Sequence, residues 1–239
     1  MNIQANINQM ASLKLDGMKK AYLAISQMPA DKQPDTHQSI ATLLDAEQQM
    51  RSVKKTKFLL RLSKLKYQAN INDIRYDPQR QLPKNTIAAL ADCTFINRGH
   101  NVLLTGATGC GKSYIASALG YQACLLGYRT LYFNMNRFIE HIAMAKIDGS
   151  FLKWLNRIQK AKLLILDDFG IQPLNQQAKL SLFQILEDRY GSASTIICSQ
   201  LPVDKWFDFF NDPTIADALL DRLTANATRI DLRGKSLRN

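Results

Sequence analysis

Eight consecutive residues near the middle of the chain follow the spacing G-x-x-x-x-G-K-[ST]. Such a loop needs glycines because its backbone must curl until the N–H groups all point at phosphate oxygens, a shape that side chains would obstruct. Its lysine brings positive charge to the β and γ phosphates, and the hydroxyl that follows can ligate Mg²⁺. The residues predicted to bind a nucleotide are Gly106, Ala107, Thr108, Gly109, Cys110, Gly111, Lys112, Ser113 and Tyr114.

The surroundings of the loop support this interpretation. The apolar run at residues 102–104 precedes it, and a helical pattern over residues 114–126 follows it. The N-terminal dipole of that helix also favours anions. The alternative is a glycine turn that merely joins a strand to a helix. The pattern in this context instead predicts that the chain binds ATP with Mg²⁺, with Lys112 on the phosphates and Ser113 on the metal.

Two carboxylates, Asp167 and Asp168, directly follow the apolar run at residues 163–166. A fully buried strand normally ends in a site at its carboxyl edge, which favours a functional role over an acidic surface loop. Asp167 is predicted to hold the magnesium, through water, beside Ser113. Asp168 is the best candidate for the base that polarises the attacking water, because none of the three glutamates lies at a predicted strand end. We expect a slow ATPase.

The elements that must position these residues follow from the pattern of apolar residues. From residue 101 onward, apolar β-rich runs alternate with helical patterns, which predicts an α/β fold with a five-stranded parallel sheet flanked by helices. Upstream, the periodicity predicts one helix from about Met10 to a break at Pro29, and another from about Thr36 to Lys66. The predicted domains are a small all-helical N-terminal domain (1–68), a connector with the start of the core (69–99) and the ATPase domain (100–239).

Composition limits the classes of partner. The chain has 239 residues and a net charge of +11, which favours an anionic macromolecule. No apolar run approaches the roughly 18 residues of a membrane span, and the N-terminus lacks the pattern of a signal peptide. We therefore expect a cytoplasmic protein with no membrane partner. The cysteines and histidines are too scattered to indicate a zinc site or a disulfide framework.

Nearly the whole chain resembles the IstB-like transposition helper ATPases of insertion sequences, which are relatives of the DnaC-type helicase loaders in the AAA+ class of P-loop NTPases. Besides the phosphate loop, the strings that carry the resemblance are Leu13-Lys14-Leu15-Asp16-Gly17-Met18, Leu164-Ile165-Leu166-Asp167-Asp168-Phe169-Gly170, Ser199-Gln200-Leu201-Pro202-Val203, Ile215-Ala216-Asp217-Ala218-Leu219-Leu220-Asp221-Arg222-Leu223 and Gly234-Lys235-Ser236-Leu237-Arg238.

This resemblance implies further roles. Ser199 or Gln200 is implied to be the sensor that touches the γ-phosphate or the attacking water, and the choice between them stays open. Arg238 matches the second sensor arginine, which contacts nucleotide. Asp168 departs from the family pattern, because the second acid of such ATPases is commonly glutamate, which is one methylene longer.

Arg222 matches the arginine finger that such ATPases supply to the nucleotide of a neighbouring subunit, where its guanidinium stabilises charge in transfer. The resemblance therefore implies a homo-oligomer with nucleotide at the subunit interfaces. The alternative for Arg222 is an ion pair on the helix surface with Asp217 or Asp221.

Two basic segments are candidates for binding DNA. A solvated helix face is the alternative for each, and neither shows the interleaved exposed aromatics that stack bases of single strands. We therefore expect sequence-independent binding to the backbone of duplex DNA. The first segment contains Arg51, Lys54, Lys55, Lys57, Arg61, Lys64 and Lys66, and the second contains Arg137, Lys146, Lys153, Arg157, Lys160 and Lys162.

The function predicted from these features is that of an ATP-dependent transposition helper, which oligomerises on target DNA and recruits or stimulates a transposase. The alternative is a replicative helicase loader of the DnaC type. A small-molecule P-loop kinase is disfavoured, because no arginine-rich lid for a second phosphate substrate is visible in the sequence.

Overall fold

Five parallel strands form the sheet of this computed structural model, which describes residues 2–234, 236 and 237. The strands are β1 (Asn101–Gly106), β2 (Thr130–Asn134), β3 (Leu163–Phe169), β4 (Ser194–Ser199) and β5 (Ala227–Leu232). They lie in the order β2-β3-β4-β1-β5. Each of the five apolar runs predicted to be a strand forms one, and these runs are at residues 102–104, 130–133, 163–166, 195–198 and 229–232. This confirms the α/β class and the five-stranded parallel sheet.

Helices make up most of the remaining described chain. The α-helices are α1 (Ile3–Ser12), α2 (Asp16–Ser26), α3 (Thr36–Ser63), α4 (Lys84–Ala91), α5 (Thr94–Asn97), α6 (Lys112–Leu125), α7 (Met135–Ile147), α8 (Phe151–Gln159), α9 (Gln176–Arg189), α10 (Trp206–Phe210) and α11 (Pro213–Thr224). Short 3-10 helices span Ala30–Lys32, Ile71–Asp73, Pro78–Arg80 and Val203–Lys205. In the part of the chain that the structure describes, no helix is long and apolar enough to cross a membrane.

Helices cover the sheet on both faces. Successive residues of a strand point to opposite faces, so neighbours in a strand belong to different clusters. Leu104 of β1 packs on the face covered by α4 and α6, in one cluster with Ile115. Leu103 packs on the other face, where Phe138 of α7 and Leu182 of α9 cover it. All five side chains are fully buried. Burial on both faces is the reason that the strands are nearly continuous apolar runs.

By compactness the chain divides into two units, residues 1–58 and 59–239, and each is described by itself. The predicted boundary lay later, at residue 68. Leu59 is already buried in the second unit, and so is much of the predicted connector, including Ala69, Ile87 and Phe95. Residues 69–99 thus supply part of the core that covers one face of the sheet.

Two predicted helix bounds are wrong for the same physical reason. The helix predicted from Met10 is instead divided into α1 and α2, because Lys14 has a φ of +59° and cannot continue a right-handed helix. The helix predicted to reach Lys66 ends at Ser63, because Lys64 has a φ of +51°.

In the first unit, the string that begins at Leu13 specifies how α2 packs on α3. A Cβ atom on Gly17 would lie 2.3 Å from the carbonyl oxygen of Ala46, so only glycine permits this approach. The Gly17 amide donates to the buried Glu47 carboxylate at 2.8 Å, and Lys54 pairs with Asp16. The string is therefore explained by packing within this unit.

Arg189 is a buried cation that joins α8, α9 and β4, and we expect its replacement by methionine to destabilise the second unit. Only 2% exposed, it donates to the carbonyls of Ile158, Ala161 and Ser194 at 3.1, 2.8 and 2.5 Å. Methionine has a similar volume but leaves these carbonyls unpaired, so the free energy of unfolding should fall by about 3 kcal/mol. Urea unfolding followed by circular dichroism measures this change. Lys205→Met, which removes an exposed charge, is the control, and equal stability of both variants would contradict the assignment.

Candidate nucleotide site and acidic pair

The predicted phosphate loop joins the carboxyl end of β1 to the first turn of α6. Two of its glycines cannot be replaced without strain. Gly106 has a φ of +136°, and a Cβ atom there would lie 2.1 Å from the carbonyl oxygen of Leu232. Gly111 caps α6 in the left-handed region at a φ of +96°. The loop is therefore held as a tight curl at the helix N-terminus, which is the form that binds phosphate.

Residues far away in the sequence hold this loop from outside. The guanidinium of Arg80, which is 4% exposed, donates to the carbonyl oxygen of Cys110 at 2.8 Å. The amide of Leu237 donates to the carbonyl oxygen of Gly109 at 3.0 Å. Sequence reasoning missed the contact of Arg80, because nothing in the local pattern around residue 80 indicates a neighbour in the loop.

Lys112 is buried inside the curl of the loop. Its ammonium donates to the carbonyl oxygens of Gly106 and Ala107 at 2.7 and 2.8 Å. Beside it lies a cavity of about 240 Å³. The residues that line the cavity are Tyr67, Thr108, Gly109, Gly111, Lys112, Ser113, Tyr114, Asp168, Gln200 and Leu237. The structure thus brings most of the predicted nucleotide residues to one cavity.

Asp167 is buried at the centre of a polar cluster. Its carboxylate accepts a hydrogen bond from the Ser113 hydroxyl at 2.9 Å, another from Tyr132 and a third from the Lys66 ammonium at 3.2 Å. Burial alone would raise the pKa of Asp167, but the hydrogen bonds from Tyr132 and Ser113, together with the Lys66 charge, outweigh it and hold the pKa below its usual value. Asp167 is therefore ionised.

Ser113 and Asp167 have the donor chemistry that magnesium requires. Both offer oxygen, and Ser113 lines the cavity beside Lys112. Asp167 lies behind it, with its Oδ1 in direct contact with the Ser113 hydroxyl. Magnesium in nucleotide sites takes one or two protein oxygens and completes its shell with phosphate and water. The pair fits a magnesium ion in a site of that kind.

Asp168 adopts a left-handed conformation with a φ of +60°. The register between β3 and β4 shifts at this point, which turns the side chain out of the strand pattern. Its carboxylate accepts a hydrogen bond from the Asn134 amide at 2.6 Å and lies 4.0 Å from the Lys66 ammonium. It lines the cavity beside Lys112. The predicted base thus faces the predicted phosphate site.

Three residues of this cluster were not predicted: Lys66, Tyr132 and Asn134. Tyr132 and Asn134 are two positions apart at the end of β2, so they point to the same side of the sheet. Asn134 of β2 is the register partner of Asp167 of β3, so the end of β2 lies directly beside the acidic pair. Knowledge of the strand order would have indicated both residues. The sequence indicated Lys66 only as part of a basic segment and gave no sign of its contact with the acidic pair.

The structure distinguishes the two sensor candidates. The Ser199 hydroxyl is fully buried, donates to the carbonyl oxygen of Phe169 at 2.8 Å and accepts from the Leu201 amide at 3.0 Å. Gln200 instead contacts the loop, where it accepts a hydrogen bond from the Thr108 hydroxyl at 2.6 Å. This placement favours Gln200 as the residue that faces nucleotide.

Arg222 lies away from the phosphate loop of its own chain. Its carbonyl oxygen accepts a hydrogen bond from the Asn101 amide at 2.9 Å, and Asn101 begins β1 whereas the loop follows its end. The guanidinium pairs with Glu187 and lies 3.4 Å from Asp221. Arg238, the other predicted arginine, lies outside the described residues.

The two basic segments are placed as follows. In the first unit, Arg51 pairs with Glu47 at 2.7 Å and Lys54 pairs with Asp16. In the second unit, the exposed side chains of Arg137 on α7 and Arg157 on α8 line one cavity. The structure contains no DNA, and the role of both segments stays a prediction.

A parallel sheet in the order β2-β3-β4-β1-β5, with a phosphate loop after β1 and an acidic pair in β3, defines a P-loop NTPase of the AAA+ class. Solved structures similar to this chain share this fold. The DnaC helicase loader superposes with a TM-score of 0.62 over 72% of this chain and 100% of that chain, at 19% identity. A replication initiator DnaA bound to AMPPCP and single-stranded DNA gives a TM-score of 0.59 over 72% of this chain and 52% of that chain, at 17% identity.

The chain belongs to the family of IstB-like ATP binding proteins, whose family model matches residues 8–239. An insertion sequence ATP-binding protein of Sinorhizobium fredii is 39% identical over 97% of this chain and 95% of its own length. The resemblance to this family drawn from the sequence is confirmed. The chain is an ATP-binding AAA+ ATPase.

Proposed function

We propose that this ATPase is a transposition helper, which oligomerises on target DNA, recruits or stimulates a transposase, and uses ATP hydrolysis to regulate assembly. The family supports this proposal, and so does the relative from Sinorhizobium fredii, described as an insertion sequence ATP-binding protein. The net charge of +11 favours a polyanionic partner.

The position of Arg222 carries the proposal. Its carbonyl oxygen accepts a hydrogen bond from the side chain of Asn101 at the start of β1, and the phosphate loop begins at Gly106. At about 3.3 Å per residue, β1 separates the two by about 17 Å, which exceeds the reach of an arginine side chain. If Arg222 acts on a nucleotide, that nucleotide belongs to another subunit. The site is therefore proposed to be completed by assembly.

Within the site, each residue is assigned a role that its contacts support. Lys112 binds the β and γ phosphates, and Gln200 orients the γ-phosphate or the attacking water. Ser113 and Asp167 hold magnesium. When the ion is bound, it neutralises negative charge on the phosphates. Asp168, oriented by the hydrogen bond from Asn134, accepts the proton of the attacking water.

A helicase loader of the DnaC type is the second candidate, since the fold superposes on the whole of the DnaC structure. The two candidates differ in what they need for assembly. A transposition helper assembles on duplex DNA alone, whereas a loader requires a protein ring and single-stranded DNA.

The test is assembly on two unrelated fluorescent duplexes, measured by sedimentation and anisotropy with and without ATP. We expect oligomers on both duplexes with ATP, and an affinity that falls about 10³-fold or more between 50 and 200 mM salt, because phosphate contacts release counterions. Lys112→Ala should abolish assembly because it removes the charge that binds the γ-phosphate.

The control for charge alone is Lys205→Met, which removes an exposed lysine far from the loop in sequence and should assemble like the wild type. Assembly by Lys112→Ala would contradict a role for nucleotide in assembly. A flat salt response, or binding to only one duplex, would contradict recognition of the DNA backbone.

A further inference from the structure

A second cavity, of about 600 Å³, lies beside the acidic pair on the side away from the phosphate loop. Residues of the β2 end, α7, α8 and the segment after α3 line it. Its basic lining residues are Lys64, Lys66, Arg137, His141 and Arg157, and none of the described residues that line it is acidic. Such a cavity favours an anion. The proposed nucleotide does not use it, because the phosphate loop lines the other cavity.

The two cavities share a wall. Asn134 and Tyr132 line the basic cavity, and the same two side chains donate to Asp168 and Asp167. Lys66 also belongs to both, because it lines the basic cavity and its ammonium lies 3.2 Å from Asp167 and 4.0 Å from Asp168. An anion in the basic cavity can therefore contact side chains that also contact the acidic pair.

The Lys66 ammonium lies at the carboxylates where magnesium is proposed to bind, so the two cations compete. Its ammonium neutralises the same two carboxylates that are proposed to hold magnesium and activate water. A second cation at Asp167 would be repelled by Lys66 as long as that contact persists. The side chain is 31% exposed and follows the end of α3. Because Lys66 also lines the basic cavity, its ammonium has open space to turn into.

We propose that the basic cavity binds a backbone phosphate of DNA, and that Lys66 turns from the acidic pair to this phosphate when DNA binds. The inference rests on the proposed function, since it takes DNA as the partner. When Lys66 leaves Asp167, the positive charge that opposes magnesium at this carboxylate is removed. Linkage is reciprocal, so DNA strengthens binding of magnesium nucleotide and magnesium nucleotide strengthens binding of DNA by the same factor.

The experiment measures the dissociation constant of a fluorescent ATP analogue, with and without duplex, first in Mg²⁺ and then in EDTA. For the wild type in Mg²⁺ we expect duplex to tighten nucleotide binding about 10-fold, and in EDTA we expect no tightening. Lys66→Met should bind magnesium nucleotide tightly without DNA and gain nothing from duplex. Arg157→Met should resemble the wild type without DNA and lose most of the tightening.

Lys205→Met is the control, and it should tighten like the wild type. Undiminished tightening in Lys66→Met, or in Arg157→Met, would overturn the inference while leaving DNA binding by this ATPase intact. Failure of the wild type to bind duplex would instead contradict the proposed function.

Inorganic phosphate takes the place of duplex in a parallel titration. Tightening by phosphate alone would overturn the assignment of the cavity to DNA.

Discussion

Replacement of Arg222 by alanine is expected to lower kcat for ATP hydrolysis on DNA by about 10³-fold or more, which is the effect of an arginine that stabilises the charge of phosphoryl transfer. Nucleotide binding to the single subunit should change little, because β1 lies between Arg222 and the loop. Folding should also persist, since the pair of Arg222 with Glu187 is exposed and such pairs contribute less than about 1 kcal/mol. Steady-state hydrolysis and nucleotide titration measure the two effects separately.

Mixing two variants tests whether Arg222 acts on the nucleotide of a neighbouring subunit. Arg222→Ala and Asp168→Asn are each expected to have very low activity alone. A mixed interface would combine the intact Asp168 of one subunit with the intact Arg222 of the other. We expect activity to return on mixing. Glu187→Gln, which removes only the partner of Arg222 within the chain, should hydrolyse ATP like the wild type. If mixing restored nothing while both variants still assembled, Arg222 would not be the finger.

Replacement of Asp168 by asparagine is expected to reduce kcat by about 10²- to 10³-fold, since it removes the proposed base but keeps the shape of the side chain. Asparagine is the right substitution because Asp168 has a φ of +60°, a conformation that asparagine tolerates and alanine does not. Its amide oxygen can still accept from Asn134. Nucleotide binding and assembly on DNA should remain. Single-turnover hydrolysis, with assembly measured in parallel, separates these quantities.

The control for Asp168→Asn is the same change at Asp204, an exposed carboxylate outside the site, which should leave hydrolysis unaffected. Hydrolysis by Asp168→Asn at the wild-type rate would exclude Asp168 as the base. Loss of nucleotide binding together with hydrolysis would show that Asp168 acts in binding.

The strands and the phosphate loop could be predicted because their signals are local. β1, β3 and β4 are buried on both faces, so their residues form apolar runs that are visible without any knowledge of the fold. The loop is defined by the backbone conformation of glycine at Gly106 and Gly111 and by the adjacent Lys112. Helix ends were less certain because a single residue such as Lys14 or Lys64 in the left-handed region decides them.

The sequence by itself thus determined the class of fold, the phosphate loop and the acidic pair, because each is encoded by neighbouring residues. Only the tertiary structure decided which distant side chains hold them. Lys66 reaches Asp167 from a separation of 101 residues, and Arg80 reaches Cys110 from 30. Such contacts depend on how the chain returns to the sheet, which spacing along the chain does not record. Likewise, only the hydrogen bond from the Asn101 side chain to the carbonyl oxygen of Arg222 showed that Arg222 and the loop lie at opposite ends of β1.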